Sequence, residues 1–403
     1  MFCKIEDAIK DLKEGKIIII TDDDDRENEG DFVIPSEICD YKHVDFMISK
    51  GKGLLCVSVD EDLAKKLDLN YMNDNNTDPN KTAFTISIDH KDSGTGISAI
   101  SRALTINEMV KENSKPNDFT RPGHVFPLIA KKYGVLKRNG HTEASLDIAK
   151  LAGFKPSAVI CEILSDSGYS ATREEIFDIA KEYELKIISI KDLIEYKKLN
   201  YEYLDYTNII DFKTKYGDFK AFSVKDEISK DEHFVIFKNE FDNDISKNEN
   251  LEFDLRIHSE CLTGDVFFSK RCDCKSQLEK SLIHISKQKN GALIYLRQEG
   301  RGIGLFNKIK AYDLQEKGFD TVQANIELGF KEEQREFFVA ANILKKLNIN
   351  KVNLLTNNPL KINELKKWNV DVIKRIPILG EINDINKFYI DTKVKKMKHC
   401  IEI

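Results

Sequence analysis

Three of the eight cysteines, Cys261, Cys272 and Cys274, fall within "SECLTGDVFFSKRCDC" at the spacing C-x10-C-x-C, and no fourth lies near them in sequence. A structural zinc closes its tetrahedron with four protein ligands, whereas a catalytic zinc keeps three and leaves the fourth position to water or substrate. The cluster therefore points to an open zinc site, against two alternatives: burial as small hydrophobes, and a disulfide between two of the three. The N-terminus, "MFCKIEDAIKDLKEG", has no apolar signal-peptide core, and no stretch approaches the roughly 18 apolar residues of a membrane span. A reducing, cytoplasmic setting is expected, which disfavours the disulfide. A redox role for "CDC" lacks a resolving partner in the surrounding motif. The remaining cysteines, Cys3, Cys39, Cys56, Cys161 and Cys400, stand singly and read as core or surface thiols.

A second candidate is rich in oxygen. "TDDDDRENEGDFVIP" packs Asp22, Asp23, Asp24, Asp25, Glu27, Glu29 and Asp31 around Arg26. Acidic runs are commonly solvated loops, but this one follows an apolar strand, where α/β sheets place their sites, and clustered oxygens suit a hard cation such as Mg²⁺. His124 in "RPGHVFPL" and His141 in "KRNGHTEASLD" offer imidazoles that could ligate or shuttle protons, although either alone reads more readily as structural.

Both clusters need a scaffold. At 403 residues the chain suits two domains, and 41% hydrophobic residues allow real cores. A net charge of -6 argues against a general nucleic-acid binder. "KIIIIT", "GLLCVSV", "TAFTISI", "AVICEIL" and "LKIISI" read as strands, and "IEDAIKDLKEG", "TEASLDIAKLAG" and "REEIFDIAKEYEL" as helices. Beyond a polar, tyrosine-rich stretch, "IEYKKLNYEYLDYTNIIDFKTKYGDF", the alternation resumes with strands "HFVIFK", "FDLRIHS", "GALIYLR" and "VNLLTN" and the helix "SQLEKSLIHISKQKNG". The expected fold class is α/β, layered α+β in both halves, with mixed sheets covered by helices and domains at 1–204 and 205–403. No internal repeat relates the halves.

"DDRENEGD", "RPGHVFPL", "GHTEASLDIAKLAGFKP" and "VICEIL" together resemble 3,4-dihydroxy-2-butanone 4-phosphate synthase across nearly all of residues 1–200. That resemblance implies rearrangement of ribulose 5-phosphate with loss of one carbon as formate. It implies Mg²⁺ or Mn²⁺ held by Glu27 and His141, and substrate contacts from Arg26, Glu27, Asp31, Arg138, Asn139, Gly140, His141, Thr142 and Glu162. It also makes His124 and Glu162 essential for turnover. A cation against adjacent ketose oxygens suits enediolate chemistry, in which carboxylates at unlike protonation states serve as acid and base. One departure is Ser101, in "SAISR", where the family has Asp; the family's pairing with Arg102 is then in question.

The cysteine segment, with "RQEGRGIGLFNKIKAYDLQ", "DTVQAN" and "LLTNNPLKI", resembles GTP cyclohydrolase II over about residues 208–380. The resemblance implies Zn²⁺ on Cys261, Cys272 and Cys274, with water at the fourth position for attack on C8 of guanine and release of formate. It implies GTP contacts from Arg256, Ile257, His258, Ser259, Glu260, Gln277, Glu299, Gly300, Arg301, Thr321, Thr356 and Lys361, with Mg²⁺ at the triphosphate. The family's catalytic Asp and Arg fall on Glu333 and Arg335. Glu in place of Asp lengthens the base by one methylene, and displacements of about 1 Å can cost roughly a hundredfold in rate. Phe268 and Lys275 stand where the family commonly has glycine, and "FFVAANIL" replaces a glycine-bearing segment; positive φ at those sites would strain the backbone. The expectation is a bifunctional enzyme starting both arms of riboflavin synthesis, a homodimer without nucleic-acid or membrane partners. The alternative keeps only the first domain catalytic and makes the second a zinc- and nucleotide-binding regulatory module.

Overall fold

The computed structural model describes residues 2–23, 26–241 and 244–400; Asp24 and Asp25 of the acidic run lie outside the described residues. The chain divides into two compact units between Lys197 and Lys198. Among the described residues no helix is long and apolar enough to cross a membrane.

The first unit is built on strands β1 (Ile18–Thr21), β2 (Gly30–Pro35), β3 (Lys52–Val59), β4 (Ile88–His90), β5 (Phe119–Ile129), β6 (Ser157–Ile163) and β7 (Lys186–Ser189). They form one mixed sheet in the order β4-β5-β3-β6-β2-β1-β7, with β1/β7 and β3/β5 parallel and the remaining pairs antiparallel. "KIIIIT" is apolar without alternation because both faces of its strand are buried: Ile19 and Phe32 enter one core, Ile18, Ile20 and Val33 the other. The helices Ile5–Lys13 and His141–Leu151 end near glycines at positive φ, Gly15 at 80° and Gly153 at 87°, a conformation that a Cβ disfavours. The antiparallel register of β2 and β6 sets Asp31 opposite Glu162, so both project from one face of the sheet.

The second unit carries β8 (Leu204–Tyr206), β9 (Ile210–Thr214), β10 (Gly217–Asp226), β11 (Glu232–Lys238), β12 (Glu252–Ser259), β13 (Gly291–Leu296), β14 (Lys351–Leu355) and β15 (Asp371–Ile376). The order is β15-β14-β12-β13-β11-β10-β8, with β9 added on β10. β12, β13, β14 and β15 run parallel, so the loops leaving β12, β13 and β14 open at one end of the sheet, where such sheets place ligands. Both units thus have the expected mixed sheets flanked by helices.

Three local readings change. "TAFTISI" is not a continuous strand: Phe84 and Thr85 make isolated bridges to Leu128 and Tyr71, and β4 starts only at Ile88. The tyrosine-rich stretch holds the end of the helix Ile190–Leu199 and then β8 and β9. Residues 198–204, expected in the first domain, pack in the second unit: the Tyr201 ring meets Phe338 at 4.9 Å and its hydroxyl donates to Asp226 at 2.7 Å.

Candidate active sites

In the first unit the turn after β1 is folded around a buried carboxylate. Asp22 accepts the backbone N–H groups of Glu27 (3.0 Å) and Glu29 (2.8 Å), and the Arg26 guanidinium lies 2.9 Å from it. These bonds draw Arg26–Glu29 back onto Asp22 and place Glu27, bonded to Arg26, near His141 at the N-terminus of the helix His141–Leu151. Oxygens of Asp22 and Glu27 and a ring nitrogen of His141 lie within 4.8 Å of one another, and His141 Nδ1 is 3.8 Å from Glu27. His141 Nε2 is buried without a hydrogen-bond partner, as is one oxygen of Asp31. Orphaned buried donors and acceptors are uncommon without an unseen ion or ligand, so this set fits a hard divalent cation.

The electrostatics separate the acids. Burial pushes Asp31 up to about 7. Burial and then Glu29 raise Glu162, whereas the bond from His141 and the charge of Arg26 outweigh burial and hold Glu27 low. For His141 burial opposes the charge, but Asp31, Glu27 and Asp22 overcome it and bring the imidazole to about 9. One pocket therefore holds carboxyls of opposite tendency, as proton transfer requires.

His124 has a partner that the sequence did not disclose. Its Nδ1 lies 2.6 Å from Asp89 Oδ2, and its backbone N–H donates to Asp89 Oδ1 at 2.9 Å. Gly96 is confined to glycine here, since it holds φ 84° and a Cβ would come within 2.0 Å of Asp89. Asn80, also unforeseen, joins two expected contacts: its side chain donates to Glu27, and its carbonyl accepts Arg138 Nη2 at 2.9 Å. Arg138 also pairs with Glu143 at 2.6 Å beside buried Gly140 and Thr142, while Asn139 is exposed. Ser101 bonds Ser98 at 2.8 Å, and Arg102 Nε is buried without a partner, so the pairing questioned from the sequence is indeed missing at that nitrogen.

In the second unit the three thiols converge. Their sulfurs lie within 4.8 Å of one another, Cys261 and Cys272 at 3.6 Å. Gly264 makes room for them: a Cβ there would sit 2.7 Å from the Cys272 sulfur. Bonds from Cys272 and Cys274, then the ammonium of Lys308 3.2 Å away, hold Cys261 far below the usual thiol range against the effect of burial. A thiolate with two further sulfurs, and no fourth donor grouped with them among the described residues, fits an open zinc site. Lys308 was not foreseen; it also binds Thr263 at 2.9 Å and Glu299 at 2.8 Å, tying the cysteine loop to the glycine loop.

Of the twelve expected GTP contacts, all but Ile257 line one cavity with the three cysteines and Arg335. Ile257 serves through its carbonyl, which accepts the Lys361 ammonium at 2.9 Å. His258 stacks on Tyr295 and bonds Asp265 at 3.1 Å; Asp265 also accepts Cys261 N–H at 3.0 Å, so it aligns the loop from a position the motif did not flag. In the glycine loop Arg301 takes φ 61°, and both its terminal nitrogens are buried without partners. Neighbouring Gly302 has φ 94°, and a Cβ there would press on the Gln334 backbone at 3.1 Å. Unpaired guanidinium groups in a cavity call for an anion.

Glu333 does not line the cavity but grips Arg335, which does: Arg335 Nε donates to Glu333 at 2.8 Å and a second bond closes the fork. The expected strain falls on Phe268 alone. Phe268 takes φ 58°, whereas Lys275 lies in the helix Cys274–Ser286 and Phe338 opens the helix Phe338–Lys346, where glycine has no advantage. The two departures touch each other: Lys275 Nζ lies 3.4 Å from the Phe268 ring centroid.

Two sheet-borne sites, one of carboxylates with an imidazole and one of three thiols beside a cavity lined with unpaired guanidinium nitrogens, define the class: an enzyme with two candidate active sites. Residues 6–196 match the family model of 3,4-dihydroxy-2-butanone 4-phosphate synthase and residues 207–377 that of GTP cyclohydrolase II. The chain is 47% identical to riboflavin biosynthesis protein RibBA of Bacillus cereus (strain B4264) and 46% identical to that of Bacillus cytotoxicus, each over 403 residues and all of both chains. A crystal structure of RibBX, described as a two domain 3,4-dihydroxy-2-butanone 4-phosphate synthase from A. baumannii, covers 94% of this chain and 100% of its own with TM-score 0.64 and 30% identity. The chain belongs to the family of bifunctional riboflavin biosynthesis proteins that join a 3,4-dihydroxy-2-butanone 4-phosphate synthase, a lyase, to a GTP cyclohydrolase II, a hydrolase. The regulatory-module alternative for the second half is not favoured by these matches.

Proposed function

We propose that the first unit converts D-ribulose 5-phosphate to 3,4-dihydroxy-2-butanone 4-phosphate and formate. The second would hydrolyse GTP to 2,5-diamino-6-(5-phosphoribosylamino)pyrimidin-4(3H)-one with formate and pyrophosphate. The observation that carries the pair is that each unit gathers a metal-competent donor set beside buried polar atoms lacking partners. Glu27 and His141 would hold Mg²⁺ or Mn²⁺, with Asp22 beside them; Cys261, Cys272 and Cys274 would hold Zn²⁺, with Mg²⁺ accompanying the triphosphate. When bound, the first cation supplies charge stabilisation for an enediolate and the second lowers the pKa of water.

The chain's own groups do the rest. In the first site Arg26, Asp31, Arg138, Asn139, Gly140 and Thr142 orient the sugar phosphate. Glu162, raised by burial, moves a proton beside the carbonyl, and Asp89 holds His124 by Nδ1 so that its other nitrogen faces its task. In the second, Arg301 and Lys361 bind phosphates, Glu333 accepts a proton, and its grip on Arg335 aims the guanidinium at the α-phosphate. The same reading takes the protein as a cytoplasmic homodimer with a domain boundary near residue 200. Formate release measured separately with ribulose 5-phosphate and with GTP tests it. Release from both is expected, and release from the ketose alone would return the second unit to a regulatory role.

A further inference from the structure

The cyclohydrolase family match stops at residue 377, but the wall of the GTP cavity does not: Tyr389, Lys393 and His399 line it. The helix Lys387–Lys395 and the turn after it are moored at three points. Lys393 Nζ lies 2.7 Å from Asp273, the residue between two of the zinc-site cysteines. Lys396 pairs with Asp320, which caps the helix carrying Thr321. Cys400 N–H donates to the carbonyl of Asn357, another wall residue, at 2.9 Å. His399, whose N–H donates to Lys393 O at 3.0 Å, therefore has a defined place.

That place is odd for an imidazole. His399 Nε2 is buried with no hydrogen-bond partner. Burial first, and then the charges of Lys393, Arg335, Lys361 and Arg301, press its pKa down to about 3. Lys393 and Arg335 are matched by Asp273 and Glu333, but the Arg301 terminal nitrogens have no partners, and among the described residues Lys361 meets a carbonyl and the Phe337 ring but no carboxylate. Cations and an unsatisfied imidazole nitrogen around one space lack an anion with several acceptor oxygens, and a polyphosphate has that chemistry.

We propose that His399 donates a hydrogen bond from Nε2 to the triphosphate of bound GTP, which makes the segment 387–400 part of the nucleotide site. The inference rests on the reading of this cavity as a GTP site and adds a specificity residue to it. A lost hydrogen bond to a charged group corresponds to roughly tenfold or more in affinity. Titration calorimetry on the full chain should show His399→Ala weakening GTP by about tenfold while guanosine, which has no phosphates, binds as before. His399→Gln, which keeps a donor, should recover most of the loss. Unchanged GTP binding in His399→Ala would overturn the proposal. So would equal weakening of GTP and guanosine, because the segment would then only hold the cavity's shape. Failure of the unmutated chain to bind GTP would sink the proposed function and this inference together, and that arm is recognisable because it contains no substitution.

Discussion

The two candidate sites gather a metal-competent donor set in different ways. In the first unit two donors, Asp22 and Glu27, lie five residues apart on a loop wound around one buried carboxylate, and the third, His141, comes from a helix far along the chain. In the second, all three thiols come from the one stretch 261–274, and a lysine 47 residues beyond Cys261 ties that stretch to Glu299. The loop carrying Asp22 and Glu27 keeps its shape through backbone bonds to one carboxylate. The unusual residues gather around the second site, where they stand as touching pairs that can change together: Phe268 against Lys275, and Glu333 forked onto Arg335.

The sharpest break between the two is reciprocal loss. Cys272→Ser should remove bound zinc, seen by atomic absorption, and bring formate release from GTP to background while ribulose 5-phosphate is still turned over. Glu27→Gln should do the reverse. Loss of both activities in either variant would mean that the sites are not independent. Next in size is Glu333→Gln, which should lower GTP hydrolysis about a hundredfold while zinc content and GTP affinity hold; an unchanged rate would move the proton acceptor elsewhere.

A smaller effect is expected from Asp89→Asn, because Asp89 acts through His124. The kcat for the ketose should fall roughly 10- to 100-fold with KM little changed, and a matching rise in KM would instead place Asp89 on the substrate. Smallest is the Phe268–Lys275 pair. Left-handed backbone at a residue with a Cβ costs about 1–2 kcal/mol, and an exposed cation–π contact returns about 0.5–1 kcal/mol. Denaturant titration of Phe268→Gly, Lys275→Ala and the double variant should give a coupling energy of about 0.5 kcal/mol. Zero coupling would show that the contact is incidental.

Much of this was legible in the sequence where the signal is local. Apolar runs marked β1, β3 and β6, and the nucleotide-contact residues expected of the second site line one cavity except Ile257, as does Arg335 but not Glu333. The illegible parts are those set by long-range geometry. Asp89 meets His124 across 35 residues, and Asn80 meets Glu27 across 53. Nothing in "SIDH" or "DPNK" announces such partners, since strand pairing and loop closure choose them. The strand expected over "TAFTISI" failed for a related reason: its composition is β-like, but only isolated bridges reach its neighbours there.

The pairing of Asp31 with Glu162 across β2 and β6 has a consequence for inheritance. Because side chains alternate, inserting or deleting one residue within either strand would turn one of these acids to the opposite face of the sheet, even if every amino acid of the motif survived. The surface loops of this unit can change length without that penalty. Length variation among descendants should therefore stop at the ends of these two strands, and a chain with a single-residue indel inside either one should retain its motifs yet lose the ketose reaction.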